Sequence, residues 1–160
     1  MSKFIFAGVF DPFTLGHVDV ACRASKFCDE LIIGIADTPK PGLLLDVVTR
    51  REVVQKIVGR LNVLNIRVEI FSGLLVDFVR TSKADAIIRG IRSEVDIDHE
   101  INIALMNKRL LPKIETIFLP SEENMRIVSS SLAKNVFFHG GDVSSLLPPE
   151  SIAALRTKTK

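Results

Sequence analysis

At 160 residues, with 47% hydrophobic and 25% charged side chains, the chain has the size and apolar content of one compact domain around one core. Its 21 basic and 19 acidic residues leave a formal net charge of +2 spread along the chain, so no overall field argues for nucleic acid or a membrane as partner. The apolar runs are too short for a signal peptide or a membrane span, which makes the cytoplasm the expected location; Cys22, Cys28, His17, His99 and His139 fit no CxxC, paired-zinc or HExxH spacing, so a metal held by a protein cage is not expected.

The first apolar, β-rich run, residues 4–7, reads as a strand, and residues 18–27 after it have helical spacing. The alternation then repeats: strand 31–36, helix 49–61, strand 68–71, helix 75–82, strand 86–88, helix 96–111 ended by Pro112, and strand 116–119. Two closing helices follow, one from the serines at 129–131 to the Gly140-Gly141 stop and one opened by Pro148-Pro149. Short, nearly continuous apolar strands are buried on both faces, so the expected fold is α/β: a single domain, residues 1–160, with a doubly wound, Rossmann-like, five-stranded parallel sheet and helices on both faces. Such sheets bind ligands beyond the carboxyl ends of their strands, and the junctions there carry the chemistry.

The first junction is Gly8-Val9-Phe10-Asp11-Pro12-Phe13-Thr14-Leu15-Gly16-His17. Gly8 removes a side chain where the backbone leaves the sheet, Gly16 lets an anion approach the helix start, and His17 sits in the first turn, where free amides and the helix dipole favour phosphate. The plainer alternative is an ordinary turn with Thr14 as cap and His17 on the surface. The fourth junction, Ile88-Arg89-Gly90-Ile91-Arg92, sets two permanently charged guanidinium groups around a glycine, an arrangement suited to a polyphosphate.

The string GxFDPxTxGH resembles the signature of the phosphopantetheine adenylyltransferases, a branch of the HxGH nucleotidyltransferases; Thr14 stands where many relatives of that superfamily carry a first histidine, and Val9 where this branch commonly has Thr or Ser. The resemblance extends through an RGxR motif at Arg89 to Arg92, an ISSSxxK-like run at Ile127 to Lys134 and the closing Pro148-Pro149-Glu150 helix, in family order. It implies transfer of AMP from ATP, taken with Mg²⁺, to 4′-phosphopantetheine, giving dephospho-coenzyme A and pyrophosphate, in a homohexamer inhibited by coenzyme A. The other readings are a different small-molecule nucleotidyltransferase of the superfamily and a silent nucleotide-binding module.

By the same resemblance His17, Lys40 and Arg92 are catalytic. ATP is expected at Val9, Phe10, His17, Gly90, Ile91, Arg92, Glu100, Met125, Ile127, Val128, Ser129, Ser130 and Ser131. Phosphopantetheine is expected at Val9, Lys40, Leu74, Leu75, Arg89, Met106 and Asn107. Asp96, Glu100, Ile103 and Asn107 share one face of their helix, with a solvated polar face as the alternative for Asp96.

Overall fold

Apolar side chains run almost without interruption through the first two strands, so neither face of the sheet they build can be left to water. The computed structural model describes residues 1–158, apart from the side chains of residues 94–96; Asp96 and the last two residues of the expected domain therefore lie outside the described residues. Five strands form one all-parallel sheet: β1 (Lys3–Gly8), β2 (Glu30–Ala36), β3 (Ile66–Phe71), β4 (Ala86–Ile91) and β5 (Glu115–Pro120), in the order β3-β2-β1-β4-β5.

Alternation along the strands divides the core in two. Phe6 of β1 and Leu31, Ile33 and Ile35 of β2 pack toward α1 (Leu15–Ala24), α2 (Val47–Leu61) and α6 (Pro149–Arg156). Ile5, Ala7 and Ile32 pack the other way, toward Phe78 and Val79 of α3 (Leu75–Ser82) and toward Ile114. On that side α4 (Glu94–Leu110) lies along β4 and β5 and against α3. The expected doubly wound sheet with helices on both faces is the one observed.

Most element ends differ from the sequence reading by one or two residues, and two elements differ by more. The first helix begins at Leu15 rather than residue 18 because Thr14 caps it, and it ends at Ala24 in a 3₁₀ turn, Ser25–Phe27. β4 continues three residues past Ile88, since β5 keeps pairing with it up to Ile91↔Pro120; Arg89 and Gly90 thus belong to a strand, not to a loop.

Gly34 shows how tightly the α3 face is packed. The Phe71 and Phe78 rings stack with centroids 4.7 Å apart and planes 6° apart, and a Cβ on Gly34 would lie 2.8 Å from the Phe78 ring and 3.3 Å from Phe71. Gly34→Ala should therefore destabilise the protein by about 1–3 kcal/mol through overpacking. Gly59→Ala, in the exposed last turns of α2 with nothing within 4 Å of the new methyl, should stabilise it by roughly 0.5–1 kcal/mol. Urea unfolding of the two variants checks the opposite signs.

Candidate active site

Because β2 joins β1 on one side and β4 joins it on the other, the loops leaving β1 and β4 diverge, and an open parallel sheet binds its ligand at such a reversal. A cavity of about 270 Å³ occupies that point. It is lined by the end of β1 and its loop, the first turns of α1, the Lys40 to Leu43 stretch after β2, Arg89, Gly90 and Arg92, Glu100, Ser121, and the start of α5 (Ser130–Phe138).

Thr14 and His17 build the first wall together. The Thr14 hydroxyl accepts the His17 backbone N–H at 3.2 Å, and the Thr14 backbone N–H donates to His17 Nδ1 at 3.0 Å, so the histidine ring completes a reciprocal cap on α1. A backbone amide can only donate, so Nδ1 must be the bare nitrogen and the neutral ring carries its proton on Nε2. The ring sits among Phe6, Phe10 and Phe13, with centroid separations of 6.2, 5.0 and 5.2 Å. Burial pushes its pKa down to about 3, and the Arg92 and Arg89 charges push in the same direction. The sequence alternatives therefore combine: Thr14 does cap the helix, yet His17 is a half-buried neutral donor in the cavity wall.

Phe10 shapes the same wall from a left-handed backbone, φ 54°, that an aromatic side chain seldom adopts. Its ring lies so close over Gly8 that a Cβ there would stand 2.8 Å from it, which is the packing reason for that glycine. At Gly16 an added Cβ would make only ordinary contact, at 3.6 Å or more, with Thr14 and Val128. Val9 offers no hydroxyl, and its carbonyl accepts from Arg50 at 2.5 Å.

Protein partners hold most of the charged groups that line the cavity. Arg89 is held by both oxygens of Glu100, one bond being 2.7 Å, and donates to the Ala7 carbonyl at 3.0 Å. Glu100, expected at ATP, is thus in this structure the internal partner of the arginine expected at phosphopantetheine. Arg92 donates to the Val128 carbonyl at 3.1 Å and lines the cavity. Lys40 lines it from an exposed loop.

The three serines separate. Ser129 caps α5 by accepting from Leu132 N–H at 3.1 Å, Ser130 donates to the Pro12 carbonyl at 2.8 Å while lining the cavity, and Ser131 lines it from an exposed position. Of the other expected residues, the structure brings Val9, Phe10, Gly90, Glu100 and Val128 into the cavity wall. Ile91, Met125, Ile127, Leu74, Leu75, Met106 and Asn107 are not part of it. Met125 packs on the core, Ile127 is 71% exposed, Leu74 is 56% exposed where it precedes α3, and Met106 is 54% exposed on α4.

Sequence reasoning missed Asp11, Lys134, Ser121 and Phe6 as wall residues, and the buried Arg50 behind them. Asp11 stands inside the GxFDPxTxGH string and Lys134 inside the ISSSxxK-like run, which was the available signal; Ser121, just past β5, carried none. Among the described residues no group of three or more His, Cys, Asp or Glu side chains could hold a metal ion.

A crevice of this kind, at the reversal of a parallel sheet and built from a helix-capping neutral histidine with arginine and lysine around it, defines a phosphate-binding α/β enzyme. A sequence model of the cytidylyltransferase-like family matches residues 5–136, so the chain is a nucleotidyltransferase of that class. It belongs, within that class, to the phosphopantetheine adenylyltransferase family: it is 41% identical over 158 residues to the phosphopantetheine adenylyltransferase of Heliobacterium modesticaldum, covering 99% of this chain and 93% of that one. Two solved structures share the fold. One, from Vibrio parahaemolyticus and assigned as a nicotinate-nucleotide adenylyltransferase, superposes with a TM-score of 0.72 at 19% identity over 98% of this chain and 93% of that one. The other is the nicotinic acid mononucleotide adenylyltransferase of Plasmodium falciparum, with a TM-score of 0.63 at 18% identity over 99% of this chain and 96% of that one.

The depressed pKa of His17 has a checkable sign. Between pH 6.5 and about 3 the unfolded chain protonates this ring while the folded one does not, so stability is lost as pH falls through that window. An NMR titration of the ring C–H resonances should find His17 neutral throughout pH 5–8; an inflection near its ordinary value would mean that the Thr14 amide does not hold Nδ1.

Proposed function

We infer that the protein transfers AMP from ATP to 4′-phosphopantetheine, giving 3′-dephospho-coenzyme A and pyrophosphate. The observation that carries this reading is His17: a ring whose Nδ1 is occupied by a backbone amide presents an N–H, without a charge, to a cavity that Arg89, Arg92 and Lys40 make cationic. The substrate phosphate is already ionised at neutral pH, so the site needs no general base to make a nucleophile. Its task is to hold two polyanions in line and to stabilise charge on the phosphoryl group in transit.

The residues divide that work. The His17 Nε2–H donates to an oxygen of the transferring phosphoryl group, and the Thr14 amide on Nδ1 keeps the proton of the neutral ring on Nε2. Arg92 and Lys40 supply positive charge toward the nucleotide, and Ser130, Ser131 and the opening amides of α5 add donors beside it. Arg89, held in place by Glu100 and the Ala7 carbonyl, faces the acceptor's phosphate.

Mg²⁺ would come with ATP. Asp11 and Glu100, the carboxylates of the wall, are both paired with cations of the chain, which fits a metal carried by the nucleotide's own phosphates rather than by a cage. Mg²⁺ held on those phosphates would supply neutralising charge during transfer. Coenzyme A, built on the product, competes for the same cavity in this reading. We place the activity in the cytoplasm; no helix of the described residues is long and apolar enough to cross a membrane.

Pyrophosphate release from Mg-ATP, run with 4′-phosphopantetheine, nicotinamide mononucleotide and glycerol 3-phosphate as separate acceptors, tests the assignment. Release should occur with the first alone, stop on chelation of magnesium and slow when coenzyme A is added. His17→Ala should lower kcat by roughly 10²–10³-fold with little change in KM, the loss of one donor to a developing oxyanion. Release with a different acceptor, or an unchanged kcat in the variant, would overturn the substrate or the histidine's role respectively.

The homohexamer belongs to the same proposal. Its support is exposed apolar side chains on α4 and the edge strand β5: Ile101, Leu105, Met106, Leu110 and Ile117 are each between 37% and 61% exposed. Sedimentation equilibrium should give six times the chain mass, and Leu105→Glu should reduce it; a monomeric wild type would end this part of the reading.

A further inference from the structure

The loop joining β2 to α2 carries Lys40 at the cavity, yet its anchors lie on other elements. Asp11, its side chain 3% exposed, accepts the Leu44 N–H on Oδ2 at 3.0 Å and the Leu45 N–H on Oδ1 at 2.9 Å. The carbonyl of Leu45 is held in turn by Nε of Arg50 at 3.1 Å, and the same buried guanidinium donates to Val9 and Ala36, at the ends of the first two strands. One residue of the loop is thus gripped at both its N–H and its C=O by groups fixed to the sheet.

A carboxylate this deep requires a cation, and α5 supplies it: Lys134 Nζ lies 3.0 Å from Asp11 Oδ2. The same ammonium reaches the Gly42 carbonyl at 3.4 Å, two residues from Lys40. Asp11 also lies between Phe10 and the loop that leads to Thr14 and His17, so the bonds it makes join both sides of the cavity. The geometry points to Asp11 and Lys134 as a positioning pair: we propose that they set the Lys40 loop at its distance from His17, and that Lys134 acts through Lys40 rather than by touching a substrate.

Lys134→Met keeps the stem and removes the charge. In the unliganded variant, amide hydrogen exchange at Leu44 and Leu45 should quicken by roughly tenfold or more, while the amides of β1 and β2 keep their protection, as expected of a local opening. Unchanged exchange at both leucines would overturn the proposal. Asp11→Asn keeps the shape of the acceptor and should act on the same two amides, so the question remains answerable if Lys134→Met does not fold.

The kinetic half rests on the adenylyl-transfer reading. The loss of kcat/KM caused by Lys134→Met should largely vanish in a Lys40→Ala background, because the pair then positions nothing that contributes. Equal losses in both backgrounds would overturn the proposal by giving Lys134 a contact of its own. A wild type that releases no pyrophosphate with phosphopantetheine would refute the functional reading and leave the exchange result to decide the positioning one.

Discussion

The bond from the Thr14 amide to His17 Nδ1 belongs both to the architecture and to the chemistry of this protein. As architecture it closes the cap that starts α1, turning the chain back along the sheet straight after β1. As chemistry it decides which ring nitrogen holds the proton. An imidazole left to rotate in the cavity would choose its tautomer by whatever anion arrived; this one has the choice made by a peptide group that can only donate. The three phenylalanines around the ring reinforce it, because burial disfavours the charged form. A helix N-terminus also disfavours a protonated histidine, so neutrality there follows from position as well as from packing.

Around that donor, most of the polar groups are occupied by the protein itself before any ligand arrives. Arg89 is bound to Glu100 and Ala7, Arg92 to Val128, Ser130 to Pro12, and Asp11 to two amides and Lys134. Such occupancy keeps a strongly cationic crevice compatible with a stable fold, since charges left partly buried without partners are costly.

The strands and helices were legible because period and length agreed: nearly continuous apolar runs of three to six residues, separated by helical spacing, admit few folds other than a parallel sheet covered on both sides. Boundaries failed where tertiary pairing overrode the pattern, as at Arg89 and Gly90, which β5 holds in the sheet. Within the site, His17, Lys40, Arg89 and Arg92 were readable as charges and donors at strand ends. The serines were readable as a cluster but not by task, since whether a hydroxyl caps, ties to Pro12 or faces the cavity depends on neighbours distant in sequence. Leu74, Leu75, Met106 and Asn107 carry no pattern of their own that distinguishes a ligand wall from an exposed or core position, and the cavity does not include them.

What the sequence determined by itself was the alternation that makes the sheet parallel and doubly wound, and the placing of a histidine, two arginines and a lysine at or after the carboxyl ends of its strands. Both are local properties, set by periodicity and by which residue follows which strand. The tertiary structure alone decided the order β3-β2-β1-β4-β5 that opens the crevice between β1 and β4, and the pairings across it: Arg89 with Glu100 over 11 residues, Arg50 with Val9 over 41, Lys134 with Asp11 over 123. Those partners meet only when the chain has closed, because an ion pair or a hydrogen bond is specified by distance in space, and no spacing along the chain encodes which distant group a buried charge will find.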